Sequence, residues 1–182
     1  IRGITVNDNR YLPCSLLFMG IGHSARDTYQ MLHDRGVEMQ AKAFAIGVRI
    51  EHPQELIDKA QYGVSAGHPQ LGAADYSLVY HAKDKGRTAY SFCMCPGGLV
   101  VAAASEAGGV VTNGMSLYRR ASGLANSALL VNVNPDDWGG QVLGGMEFQR
   151  QYERLAFQRG GSNYYAPVQN VGDFLAGTSG SK

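Results

Sequence analysis

The sequence contains little of what marks membrane-spanning or nucleic-acid-binding proteins. It has no run of about 18 consecutive apolar residues, so no segment is predicted to cross a membrane. The 182 residues include 16 Lys and Arg against 15 Asp and Glu, which gives a formal net charge of +1. No cluster of basic residues stands out, and this even balance argues against a nucleic-acid partner or an anionic membrane surface.

Cysteine is scarce as well, and its number is odd. The three residues, Cys14, Cys93 and Cys95, are a poor basis for a disulfide framework, so we expect a reducing, cytoplasmic location. The sequence has no Cys-x-x-Cys or His-x-x-x-His pair, and no metal site is predicted. Cys93 and Cys95 would point to the same face of a strand, and they are interpreted either as buried structural thiols or as a redox pair.

What the sequence does have is apolar content and glycine. It is 45% hydrophobic and contains 24 glycines, which permits a sizeable core and predicts many tight turns. Strand-like runs outnumber helical patterns and follow one another across short turns, which predicts an α+β fold with mostly antiparallel strands and a few helices. Helices are predicted over residues 25–35, 53–63 and 145–159. Strands are predicted over residues 15–19, 42–52, 76–82, 87–95, 99–105, 109–115 and 128–133. The segment 163–182 is predicted to be a loop.

A glycine-rich bend lies between the apolar run 15–19 and the first predicted helix. Gly20, Gly22 and Ala25 match the loose spacing of a dinucleotide-binding turn. In such a turn the strand ends, the glycines allow a tight bend, and the bare N–H groups of the helix favour an anion. This spacing makes the bend a candidate for contact with a nucleotide.

The rest of the dinucleotide pattern is incomplete. A ribose-binding acid is expected about 20 residues later, at the end of the next strand. Glu38 precedes that strand and Glu51 comes too late. The bend is therefore interpreted as a secondary nucleotide contact or as a plain glycine bend that Ser24 caps. His23 could donate to a phosphate or a flavin carbonyl, or it could bond to nearby backbone.

A second bend, Pro96-Gly97-Gly98, follows the cysteine pair. It is predicted to expose backbone N–H groups where a planar ligand could approach closely. Three polar residues further along, Asn113, Asn126 and Ser127, could read the edge of a heterocycle or could satisfy local turns. His52 is predicted at a helix entry and His68 in a loop.

Long segments of the sequence are similar to a known family. The segments are GIGHSARDTYQMLHDRGVEMQAKAFAIGVRIEHPQELIDKAQYG, LGAADYSLVYHAKD, RTAYSFCMCPGGLVVAAASE, VVTNGMSLY and ANSALLVNV. They resemble the bacterial FAD-dependent dehydrogenases, large flavoproteins that also have a distant likeness to FAD-dependent reductases. In one loop, residues 119–124, the sequence departs from the acidic Arg-Asp-Gly-Glu-Asn-like run of that family.

The resemblance implies that FAD is the cofactor and that its principal phosphate turn lies outside this chain. Because the sequence opens in what reads as a strand, we expect a fragment of a longer protein. Residues 1–28 are expected to be a hairpin and strand end of an FAD-binding, Rossmann-like domain, and residues 29–182 an inserted substrate-side domain. The strand predicted to end at Gly20 resembles the Ala-Thr-Gly strand end that passes close to the cofactor in related flavoproteins. The candidate flavin contacts are Gly20, Gly22, His23, Ser24, Pro96, Gly97 and Gly98.

Three hypotheses for function follow. In the first, the chain is part of an oxidoreductase in which hydride passes to or from flavin N5, with a small-molecule substrate and NAD(P)H as a candidate electron donor. In the second, it is a module that only binds a ligand or another protein. In the third, Cys93 and Cys95 relay electrons from the flavin. No residue is assigned as a catalytic acid or base.

Overall fold

The computed structural model describes residues 1–178, which form two compact units. The first unit is Ile1–Val37, and the second begins at Glu38. The predicted assignment of residues 1–28 and 29–182 to two parent domains stays a prediction. The α+β class with mostly antiparallel strands is confirmed.

The first unit opens with a two-stranded hairpin. Strands β1 (Gly3–Val6) and β2 (Arg10–Pro13) pair antiparallel. The turn between them contains Asn7 and Asp8 at φ of 52° and 58°. Asn and Asp tolerate this left-handed conformation better than most residues because their short side chains bond to nearby backbone.

The apolar run 15–19 was predicted to be a buried strand that ends at Gly20, and this prediction is wrong. The run has no regular secondary structure, and Leu16 and Phe18 are 68% and 89% exposed. A strand needs a neighbour that accepts and donates its backbone hydrogen bonds. None of the strands in residues 1–178 pairs with this run.

The first predicted helix is confirmed as α1 (Arg26–Asp34). Its C-terminal stop is a Schellman motif: the N–H of Gly36 donates to His33 O at 2.9 Å, and the N–H of Val37 donates to Leu32 O at 3.1 Å. Gly36 has the left-handed φ of 75° that this motif needs. At the other end the cap position is Ala25, so the expected cap at Ser24 is wrong by one residue.

The second unit is built on one four-stranded antiparallel sheet. Its strands are β3 (Phe44–Pro53), β4 (Val79–Ala82), β5 (Arg87–Cys95) and β8 (Leu124–Val133), in the order β3-β8-β5-β4. A separate ribbon pairs β6 (Gly98–Ala103) with β7 (Val111–Ser116). The predicted hairpin at Gly108 and Gly109 is confirmed by this pairing.

Alternation along β3 separates two faces of the sheet. Apolar residues occupy every second position from Phe44 to Ile50, and Arg49 and Glu51 lie on the opposite face. On β8, Asn126 pairs with Glu51, and Ala128 pairs with Arg49. Because directly paired residues share a face, Arg49 and Asn126 lie on the same side of the sheet.

Up to residue 178, the second unit has three α-helices: α2 (Gln54–Tyr62), α3 (Gly144–Arg159) and α4 (Val171–Ala176), besides short 3₁₀ helices at Gly63–Ser65 and Pro135–Trp138. The first two confirm predicted helices. The third corrects the expectation of a loop over 163–182, of which residues 179–182 lie outside the described part. None of the helices in residues 1–178 is both long and apolar enough to cross a membrane.

The core of the second unit is smaller than the apolar content suggests. The aromatic side of α3 is packed at Phe148, whose ring lies 6.3 Å from Phe44, and Phe44 in turn stacks on Trp138 at 5.1 Å. Tyr152 and Leu155, on the same predicted face, are close to half exposed. The buried apolar residues of the described chain include Ala74, Val110, Ala125 and Val133.

Candidate functional site

The loop of residues 20–24 is open. Gly20, Gly22, His23 and Ser24 are all exposed. A Cβ at either glycine would meet no atom of the described chain within 4 Å, although the φ of 74° at Gly22 still favours glycine there. The carbonyl of Gly22 accepts a hydrogen bond from Tyr29 Oη at 3.2 Å, which ties the loop to α1. A flat ligand can therefore approach this backbone.

The bend Pro96-Gly97-Gly98 is closed, in contrast to what the sequence predicts. All three residues are buried. The N–H of Gly97 donates to Gln54 Oε1 at 2.8 Å, and the carbonyl of Pro96 accepts from Ser116 Oγ at 2.9 Å. A Cβ at Gly97, whose φ is 56°, would collide with the backbone of Arg120. The expectation of exposed N–H groups is wrong for Gly97, because protein groups already occupy that space.

Gln54 organises this bend, and sequence reasoning did not identify it. Its side chain is 6% exposed. Besides accepting from Gly97, it donates from Nε2 to Asp58 Oδ1 at 2.8 Å and to Ala74 O at 2.9 Å. Gln54 therefore joins the start of α2, the loop before β4 and the bend after β5. Its partners lie up to 43 residues away, so no local pattern could have indicated them.

A polar group that we call the Arg49 cluster lies where β3, β5, β7 and β8 meet. Arg49 Nε donates to Asn126 Oδ1 at 2.9 Å, and Nη2 donates to Cys93 O at 2.6 Å. Nη2 also lies 3.8 Å from Cys95 Sγ, and Nη1 lies 3.5 Å from Asn113 Oδ1. These five residues, Arg49, Cys93, Cys95, Asn113 and Asn126, define the cluster.

Within residues 1–178, no carboxylate forms an ion pair with Arg49, and the partners of this guanidinium are two side-chain amides, a backbone carbonyl and a cysteine sulfur. The sequence contained one clue that was missed. Arg49 interrupts the apolar segment 43–50 of a strand that was correctly predicted. Its partners are 44 to 77 residues distant, so their convergence could not be read from local spacing.

The two cysteines of the cluster do not share a strand face in the expected way. The pairing of β5 with β8 is interrupted by a bulge between Phe92 and Cys95, and Cys93 has a φ of 46°. Because a bulge breaks the two-residue alternation, the spacing rule does not apply here. Both thiols are free; Cys93 is exposed and Cys95 is half-buried. The interpretation as buried structural thiols is therefore wrong for Cys93.

The three polar residues singled out from the sequence differ in how their hydrogen bonds are satisfied. Ser127 Oγ donates to backbone carbonyls of Phe92 and Ala128, and Asn113 Oδ1 accepts from its neighbour Gly114 at 2.8 Å. For Asn113 this is the local role that the sequence left open, whereas Phe92 is 35 residues from Ser127 and lies on the neighbouring strand. Asn126 is different, because it is completely buried and its Nδ2 has no hydrogen-bond partner among the described residues.

A histidine–tyrosine pair lies beside the sheet. His52 Nε2 and Tyr76 Oη are 2.9 Å apart. Burial raises the pKa of the Tyr76 phenol above its usual value of 10, and the hydrogen bond with Ser127 and the charge of Arg49 offset part of this increase. His52 is the second-to-last residue of β3 and lies just before α2, as predicted. It also contacts Tyr76, which the sequence did not indicate.

A shallow groove with a cavity volume of about 420 Å³ lies next to α2. Its lining includes Asp58, His68, Arg120 and Gly123. His68 is in a loop, as predicted, and its Nδ1 accepts from the N–H of Gln70 at 3.2 Å. Among the residues that the structure describes, no three His, Cys, Asp or Glu side chains are grouped to hold a metal ion.

Comparison with known proteins identifies the family of this chain. Residues 43–182 match the family model described as FAD-dependent protein, C-terminal domain-like. An uncharacterized protein of Clostridium beijerinckii is 59% identical over 176 residues, which is 96% of this chain and 33% of that protein. The chain thus spans about a third of the length of the relative that it matches. The expected likeness to FAD-dependent proteins is confirmed at this level, and the chain belongs to the family of FAD-dependent proteins with this C-terminal domain.

Proposed function

We propose that the chain is the substrate-side part of an FAD-dependent oxidoreductase that acts as a dehydrogenase when the polypeptide is full length. The family match supports the association with FAD. The observation that carries the proposal is the open backbone at Gly20 and Gly22. Of the two bends predicted to contact flavin, this one leaves room for a planar group, whereas the bend at Gly97 is filled by protein.

The residues of this loop fit a flavin. Gly20 and Gly22 present main chain without side chains, and His23 and Ser24 are exposed beside them and can donate hydrogen bonds. When bound, FAD supplies hydride transfer at its N5 atom, and the protein supplies position and hydrogen-bond donors. In this proposal the loop holds the face or edge of the ring. The full-length protein acts on a small-molecule substrate, with NAD(P)H as the electron donor and a cytoplasmic location.

The test uses the full-length polypeptide that contains this chain. It should be yellow when purified, or become yellow with added FAD, and a reductant such as NADH or dithionite should bleach the visible flavin absorbance. The 182-residue chain alone should bind FAD weakly or not at all, because its sequence lacks a Gly-x-Gly-x-x-Gly phosphate turn. A full-length protein that is colourless and binds no added FAD would contradict the proposal.

The cysteine relay is the second candidate, and it is favoured only by the two free thiols in the Arg49 cluster. In such a relay, reduced FAD would give two electrons, with two protons, to a Cys93–Cys95 disulfide, so that the S–S bond breaks, two thiols form and the flavin is left oxidised. We expect no relay, because Arg49 holds both the Cys93 carbonyl and the Cys95 sulfur in the reduced bulge. Titration of free thiols before and after flavin reduction should give equal counts, and a gain of two thiols on reduction would favour the relay.

A further inference from the structure

We propose that the Arg49 cluster binds the carboxylate of a small organic acid. The role of this acid as substrate rests on the proposed function, whereas the binding of the carboxylate does not. The cluster contains a guanidinium without an acidic partner and a completely buried amide with an unused donor. Both features point to an acceptor that the described residues do not supply.

The orientation of the Asn126 amide is fixed by its neighbour. Arg49 can only donate, so the atom of Asn126 that lies 2.9 Å from Nε must be the oxygen. The nitrogen Nδ2 is thus left as a buried donor without a partner. Such a group destabilises the fold by roughly 1–3 kcal/mol, so its persistence favours a role that outweighs this cost.

Arg49 also has donor capacity left. A guanidinium has five N–H bonds. Nε uses its one N–H on Asn126, and Nη2 directs its two at the Cys93 carbonyl and the Cys95 sulfur. The two N–H bonds of Nη1 face one long contact, 3.5 Å to Asn113 Oδ1. At least one Nη1 donor is therefore uncommitted, on the side where Asn113 is exposed.

The backbone around the pair is closely fitted to it. A Cβ at Gly114 on β7 would collide with Asn126 Oδ1 and with the Arg49 guanidinium. Gly114 thus packs closely against the pair, and a larger residue at this position of β7 would displace it. An arginine held by its neighbours loses less conformational entropy when it binds a ligand.

The charge of the Arg49 cluster favours a ligand with a single negative charge. The cluster carries a single guanidinium, and the exposed carboxylate of Glu51 lies two residues along the same face of β3. A monoanion balances this charge, whereas a phosphate near −2 would meet one cation and one nearby anion. A carboxylate also presents two oxygens in one plane, which suits a guanidinium donor together with an amide donor.

The test measures anion binding by the full-length polypeptide with isothermal titration calorimetry and thermal unfolding. Acetate, propionate and benzoate are the probes, acetamide is the neutral control, and inorganic phosphate is the competing anion. We expect at least one monocarboxylate to bind and to raise Tm, more strongly than acetamide or phosphate. Absence of binding by all three, or equal binding of acetamide, or preference for phosphate, would overturn the inference.

Variants separate a binding role from a structural one. Asn126→Asp gives Arg49 an internal carboxylate and removes the buried donor, so it should keep the fold and weaken carboxylate binding at least about tenfold. Asn132→Asp is the matched control: it lies on the same strand, its Oδ1 accepts from Thr88 N–H at 2.8 Å, and it should bind like the wild type. Unchanged binding by a folded Asn126→Asp protein would overturn the inference.

A second variant covers the case in which Asn126→Asp does not fold. Arg49→Lys keeps the charge but loses the forked donors, and it too should bind carboxylate at least about tenfold more weakly; wild-type affinity would count against the site. Flavin content is recorded separately. A colourless protein that binds carboxylates would contradict the proposed function and leave this inference standing. A yellow protein that binds no carboxylate would overturn this inference and leave the proposed function standing.

Discussion

The two glycine bends of this chain look alike in sequence and differ in structure. At residues 20–24 the main chain is exposed, and a side chain added at Gly20 or Gly22 would enter open space. At residues 96–98 the main chain is buried, its N–H and C=O groups bond to Gln54 and Ser116, and a side chain at Gly97 would strike Arg120. A glycine-rich bend in the sequence thus does not reveal whether its backbone is accessible, and at Gly97 the glycine makes room for the backbone of Arg120.

The largest expected effect is at the closed bend. Gly97→Ala puts a Cβ at a φ of 56° and against the Arg120 backbone, and it should lower the free energy of unfolding by about 3 kcal/mol or more. Urea denaturation followed by far-ultraviolet circular dichroism, which reports on both units, measures this. The matched variant Gly20→Ala should change stability by less than about 0.5 kcal/mol. Equal effects at the two bends would remove the contrast between them.

The second-largest loss of stability is expected at Gln54, whose side chain bonds to the buried bend. Gln54→Leu leaves the buried N–H of Gly97 and the carbonyl of Ala74 without this partner, and it should destabilise the chain by about 2 kcal/mol. Gln61→Leu on the same helix is the control, because Gln61 is exposed and makes one long bond to Asp75 O. If Gln61→Leu lowered the free energy of unfolding as much as Gln54→Leu, a change in helix propensity, rather than the lost bonds at the bend, would explain the destabilisation.

The smallest effect on stability is expected at the open loop, where the effect on the cofactor should be larger. His23→Ala removes an exposed side chain and should shift the flavin absorbance or potential of the full-length protein with less than about 0.5 kcal/mol change in unfolding. His33→Ala, on the exposed side of α1, is the control and should leave the spectrum unchanged. An unaltered spectrum in His23→Ala would return His23 to a role in local backbone bonding.

The sequence predicted best what depends on neighbouring residues. The stop of α1 at Gly36 and the hairpin at Gly108 and Gly109 are local, and each was found where expected. The start of α2 is local too, and it was predicted at Pro53 and found one residue later, at Gln54. The prediction of a buried strand over residues 15–19 failed, because an apolar run forms a buried strand only if a partner strand is present. The Arg49 cluster was missed as a unit because pairing of β3 with β8 and a bulge in β5 bring its members together, and neither pairing register nor bulges can be read from one sequence.

The pair of His52 and Tyr76 has a consequence for the direction of proton donation. The carbonyl of Pro53, 3.4 Å from His52 Nδ1, can only accept, so a neutral His52 carries its proton on Nδ1 and takes the Tyr76 hydroxyl proton on Nε2. Since burial raises the pKa of the phenol above its usual value of 10, Tyr76 still has this proton at neutral pH and can donate it to a neutral His52. The Tyr76 oxygen then has only lone pairs to offer, and any further group that reaches it must arrive as a donor.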